Sequence, residues 1–185
     1  MLTWIILSII APVPVLHLWL HALLFYWRKR PVFFYLFCGI VWLGSFLLFW
    51  PLRLIQDQFF APSTASDVVG RVLMLMGSLG VLSSIWALGI RRFFMWAVLK
   101  PDALSQVRIH RGPFSFIPHP AYFGYLLVLF GNLLTTGSLL DVSIFCLSFA
   151  LTPIIIWLEE RELKERINEN VEGGCRKIVV ADRQP

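Results

Sequence analysis

The chain has 185 residues, of which 58% are hydrophobic and only 15% charged, with 16 Lys and Arg against 11 Asp and Glu for a net charge of +5. A soluble domain carries about 25% charged residues, so this composition, with a mean hydropathy of +0.74, excludes an ordinary water-soluble domain. The positive balance fits basic loops beside a membrane; no nucleic-acid-reading motif accompanies it, so no nucleic-acid partner is expected.

Taken in chain order, the apolar residues run unbroken instead of repeating on one face. Residues 1–27, 31–52, 72–90, 112–140 and 142–158 hold no Asp, Glu, Lys or Arg. A bilayer crossing takes roughly 20 mostly apolar residues, so about five transmembrane helices are expected. The chain reads as an all-α polytopic integral membrane protein. The first helix spans about residues 2–26 and is expected to kink at Pro12 and Pro14, which lack an N–H and crowd the preceding turn. It lacks a basic leader and a clear small-residue cleavage site, so it reads as a retained helix. Its His17 and His21 share a face; a paired metal or haem site is conceivable there, but no third ligand is evident and no metal is assigned.

Arg28, Lys29 and Arg30 follow, and Pro31 opens a second helix over about 32–50. A polar stretch, 53–67, precedes a third helix over about 68–89. Gly77, Gly80 and Ser84 suit this third helix for close packing. Residues 1–90 thus hold three spans, and 91–119 form a basic connecting segment. A helix hairpin follows over 120–158, with its turn at Gly137 and Ser138, and 159–185 make a polar, partly helical tail. Cys38, Cys146 and Cys175 form neither a disulfide framework nor a zinc motif. Lys and Arg concentrate in cytoplasmic loops. Residues 28–30, 91–119 and the tail are therefore expected in the cytoplasm, with the N-terminus outside.

The chemically informative stretch is 109–124, read with Glu159 and Glu160. Pro118 and Pro120 push Ile117 and His119 toward extended chain, and Pro120 suits the first turn of a helix. The free N–H groups of that turn can meet an acceptor. Gly124 leaves room for a flat ligand against the backbone, and Tyr122 offers a ring and a hydroxyl. Two carboxylates directly after an apolar helix need protein, water or a cation to face. The start of one hairpin helix lies beside the end of the other, so His119 and the glutamates are expected close in space.

Gly112-Pro113-Phe114, His119-Pro120-Ala121-Tyr122-Phe123-Gly124, Glu159-Glu160-Arg161-Glu162-Leu163 and Pro185 together resemble, in order and spacing, the isoprenylcysteine carboxyl methyltransferase and phospholipid methyltransferase superfamily. The resemblance covers about the C-terminal half. It implies S-adenosylmethionine as cofactor and methyl transfer to a membrane lipid or lipidated small molecule at the cytoplasmic face. It places His119, Tyr122, Gly124 and Glu160 around the cofactor; Glu159 and Arg111 are the candidate catalytic residues. The superfamily has an arginine before the histidine, where this chain has Pro118; Arg111 or Arg108 are the candidates to replace it. In the tail, Ile167-Asn168 stands where Phe-Gly is expected, and Val171 and Gly174 stand where two tyrosines are. Two other readings stay open: a non-catalytic binding or assembly protein that keeps the fold, and a nicotinamide-dependent lipid reductase.

Overall fold

The computed structural model describes residues 2–52, 57–103 and 112–181, with side chains described for 4–52, 57–101, 103 and 112–166. Its elements are helices: α1 (Leu2–Ile10), α2 (Val13–Ala22), α3 (Leu24–Lys29), α4 (Pro31–Leu52), α5 (Thr64–Leu88), α6 (Ile90–Phe93), α7 (Trp96–Leu99), α8 (Pro120–Thr136) and α9 (Leu139–Ala181), with short 3-10 turns at Pro101–Ala103 and Gly112–Ser115. No strand occurs among the described residues. Four segments are long and apolar enough to cross a membrane: Trp4–Ala22, Pro31–Leu52, Thr64–Leu88 and Leu139–Arg166. The apolar α8 (Pro120–Thr136) is a fifth, shorter helix. The protein is an all-α polytopic membrane protein.

The first span is broken where a single kinked rod was expected. Pro12 caps α2, and Leu23, at φ −117° and ψ 28°, separates α2 from α3. The segment thus turns twice, and Trp27 comes to rest buried against Phe34 and Phe37 of α4. Helix α4 begins on Pro31, whose missing N–H costs nothing in a first turn. Its residues Val32, Leu36, Ile40, Leu43 and Leu47 form an exposed apolar face, as lipid-facing residues do. Helix α5 starts at Thr64, earlier than its apolar pattern suggests, because Ser63 and Ser66 make a reciprocal capping box.

Helices α5 and α8 pack antiparallel, backbone to backbone. A Cβ placed on Gly70 would sit 2.5 Å from the Gly131 carbonyl oxygen, and one on Gly124 would sit 2.6 Å from that of Gly77. The two glycines of each helix are two turns apart and so share one face. Helix α8 then turns at Gly137, whose φ of 62° suits a residue without a Cβ. Buried Asp141 ties the turn together by accepting from Asn132 at 2.9 Å and from the Thr136 hydroxyl. The α4–α5 connection lies over this turn: Phe59 donates to the Gly137 carbonyl at 2.7 Å, and Leu139 donates to that of Asp57 at 3.0 Å.

The opposite end of the molecule gathers α3, α6, α7, the start of α8 and the middle of α9. Arg28 donates to the Val98 carbonyl at 3.1 Å, and Arg166 to that of Ala97 at 3.1 Å. Helix α9 does not stop at Leu158: it runs on, so Glu159 and Glu160 lie inside a helix and not at its end. Residues 159–166 are mostly strong helix formers, and Arg161 pairs with Glu165 one turn on at 3.0 Å.

Candidate active site

Pro120 fixes the first turn of α8, and His119 becomes its N-cap at φ −130° and ψ 64°, outside the helical region that a following proline disfavours but short of the fully extended chain expected. From there His119 and Tyr122 face α9. The His119 Nε2 lies 3.1 Å from Glu160 Oε1. The Tyr122 hydroxyl donates to Glu159 Oε1. The hairpin therefore brings together four of the residues singled out from the sequence, as two carboxylates each held by a partner on the facing helix.

The first span supplies a third wall. His17, on α2, sets its ring edge-on to Tyr122 at 5.8 Å between centroids, with Nε2 3.9 Å from Glu159 Oε1. One turn along α9 lies Glu162, only 6% exposed. Its Oε1 accepts from Arg28 at 2.7 Å and faces Arg166 Nε at 3.3 Å. Its Oε2 is buried 3.5 Å from His21 Nδ1 and makes no hydrogen bond among the described residues. Charges taken out of water cost several kcal/mol each unless paired. The pairing of three carboxylates with arginine, histidine and tyrosine partners is what makes this cluster tenable beside lipid.

Apart from His21 and Arg28, these groups line the polar end of a cavity of about 500 Å³, within the size range of small-molecule sites. Arg92, Phe114 and Pro118 also border it. Away from the charges the cavity continues between α2, α4 and α8, lined by Val13, Cys38, Trp42, Tyr125 and Val128. Met95, in the left-handed conformation at φ 63°, links α6 to α7 on the cavity wall. A non-glycine residue there carries backbone strain of about 1–3 kcal/mol. One compartment thus joins an ionic end to an apolar arm.

Gly124 stands apart from this group. It faces Gly77 of α5 and does not line the cavity, so the space it leaves is filled by a helix. Arg111 and Arg108 lie outside the described residues, as do Pro185 and the side chain of Val171. Sequence reasoning missed Glu162 and Arg166 as site residues. Their signal was present: 159, 162 and 166 share a helix face, but only if the helix continues past Leu158. His17 was visible only as half of an incomplete metal pair. Among the described residues no group of His, Cys, Asp and Glu could hold a metal ion.

A model of the phospholipid methyltransferase family matches residues 65–169, more than half of the chain. The match runs from the start of α5 into α9; it takes in His119, Tyr122, Glu159, Glu160, Glu162 and Arg166, and leaves out His17, His21 and Arg28. No curated protein and no solved structure matches the chain.

Proposed function

The chain belongs to the phospholipid methyltransferase family, and on that premise we propose that it uses S-adenosylmethionine to methylate a lipid-like carboxylate, amine or thiol at the cytoplasmic face of the membrane. The observation that carries this reading is the compartment just described, with paired acids at one end and a hydrocarbon-lined arm at the other. A water-soluble cationic donor and a bilayer-soluble acceptor need such a place to meet.

The residues present fit the cofactor. It carries an ammonium, a sulfonium and a carboxylate; the cavity offers Glu159 and Glu160 for positive charge and Arg166 and Arg92 for an acid group. Phe114 and Tyr122 offer aromatic surface. When bound, S-adenosylmethionine supplies a methyl group made electrophilic by the sulfonium sulfur it leaves. Glu159 and Glu160 hold positive charge in place, and they act strongly because they are preorganised where water is scarce. Tyr122 and His119 keep each carboxylate in one orientation by hydrogen bonding to it. Gly124 contributes through the fold: it lets α8 lie against α5 and so fixes where α8 begins. The apolar arm takes the acceptor's hydrocarbon and brings its reactive end to the acids. Such alignment alone removes several kcal/mol of encounter entropy from the barrier. The cytoplasmic assignment rests on charge: Arg28, Lys29, Arg30, Arg91, Arg92 and Lys100 all border this end, as basic residues do on the inner side of a membrane.

Calorimetry on the purified full chain tests the proposal. Micromolar binding of S-adenosylhomocysteine, lost in His119→Ala and Glu160→Ala, is the expected result. Binding of a reduced nicotinamide cofactor in its place points to a lipid reductase. Binding of neither points to a non-catalytic member, a reading that Pro118 at the family's arginine position favours.

A further inference from the structure

His17 lies outside the family match, on α2, with its side chain 18% exposed and its ring on the cavity wall. Its Nδ1 is 2.9 Å from the Val13 carbonyl oxygen. A carbonyl can only accept, so in the neutral ring the proton sits on Nδ1 and the lone pair on Nε2. That nitrogen makes no hydrogen bond among the described residues; its 3.9 Å separation from Glu159 Oε1 is too long for one. The other imidazole on the cavity wall, His119, is engaged through its own Nε2 by Glu160 at 3.1 Å. His21, one turn along from His17, faces Glu162 instead. The compartment therefore holds a ring whose proton-accepting nitrogen is turned to the site, with a carboxylate near enough to stabilise the cation that ring becomes.

We propose that His17 is the proton acceptor of the methyl transfer, and that the substrate is a protic acceptor: a lipid-like amine, hydroxyl or thiol. The inference rests on the methyltransferase reading above. In the step, a lone pair on the acceptor's heteroatom forms the bond to the methyl carbon. The carbon–sulfur bond breaks, and its electron pair passes to sulfur. The proton shed by the heteroatom passes to His17 Nε2. The positive charge that began on sulfur ends on the imidazolium, beside Glu159. A carboxylate acceptor sheds no proton and has no use for such a base. The groups facing His17 are Tyr122 from α8 and Glu159 from α9. His21 shares its helix, and Glu160, Glu162, Arg166 and Arg92 line the same cavity.

The test uses the full chain in nanodiscs, as wild type, His17→Gln and His17→Asn. Both replacements stay polar, and neither takes up a proton. In the cofactor-free wild type, nitrogen NMR of the ring is expected to report the Nδ1–H tautomer at alkaline pH; the Nε2–H tautomer overturns the assignment. Binding of S-adenosylhomocysteine is expected to survive both substitutions. Methylation of a long-chain alkylamine or alkanethiol is expected to fall about 10²- to 10⁴-fold, the usual contribution of a positioned base. The acid limb of the wild-type kcat/KM profile is expected to vanish with it. Unchanged turnover in both variants overturns the proposal. So does loss of S-adenosylhomocysteine binding in both, and so does methylation confined to a fatty-acid probe. If the wild type itself binds no S-adenosylhomocysteine, the underlying methyltransferase reading fails first, and the calorimetry alone shows it.

Discussion

Glu162 is held from two directions, by Arg28 at 2.7 Å and by Arg166 at 3.3 Å. Removing one partner of a buried ion pair strands the other, at about 3–5 kcal/mol. Glu162→Ala is therefore expected to lower stability by about 3 kcal/mol, read as a drop in the thermal midpoint in nanodiscs. The double variant Glu162→Leu/Arg166→Met should recover much of that loss, because Arg28, a third exposed, can turn to water. A single variant as stable as wild type would show that the pairing contributes nothing. Tyr122→Phe removes only the hydroxyl that Glu159 accepts from. It leaves a charge-assisted bond unmade, so S-adenosylhomocysteine binding is expected to weaken about tenfold, read by the same calorimetry. The nearness of His119 to the glutamate pair was legible in the sequence, because a tight turn forces the two hairpin helices side by side; the bond from Tyr122 to Glu159 was not foreseen. His17 was not legible, because its approach depends on how α2 packs against α9, and local sequence pattern does not encode that.

At the scale of the helix, the spans were legible and their breaks were not. A charge-free run of the right length is a bilayer crossing whatever it packs against. The break at Leu23 has no proline or glycine to announce it, and the continuation of α9 past Leu158 hides behind a change from apolar to charged residues. Glycine carries two meanings here that composition does not separate. Gly124 and Gly131 face the backbone of α5, where a neighbouring side chain cannot swing aside to make room. Gly39 and Gly44 on α4 have nothing within 4 Å of the Cβ they lack. Gly124→Ala is thus expected to push α5 from α8 and destabilise by about 1–3 kcal/mol, as overpacking does. Gly39→Ala should be neutral or stabilise by up to about 1 kcal/mol through helix propensity. Denaturation of the two variants in a mixed micelle checks the contrast. Equal effects would mean that the glycine pairs do not set the helix separation.

Over the whole molecule, charge and hydrogen bonding divide the chain into two ends. The hairpin turn, Asp57 and Phe59 meet at one end, far along α5, α8 and α9 from the cluster around Glu159. The other end carries Arg28 to Arg30, Arg91, Arg92 and the charged middle of α9. Basic residues beside short loops hold an inserted chain with that side in the cytoplasm. In the proposed orientation, the cavity's ionic end faces the compartment from which a soluble donor arrives. The orientation is tested by single cysteines in a background with Cys38, Cys146 and Cys175 replaced by alanine. Ser63→Cys, at the cap of α5, is expected to react with a membrane-impermeant maleimide on intact cells. Arg91→Cys, on α6, is expected to react only after the membrane is opened. The reverse pattern would put the acids and histidines on the outer surface. Cytoplasmic S-adenosylmethionine could not reach them there, and the methyltransferase reading would have to be given up with the topology.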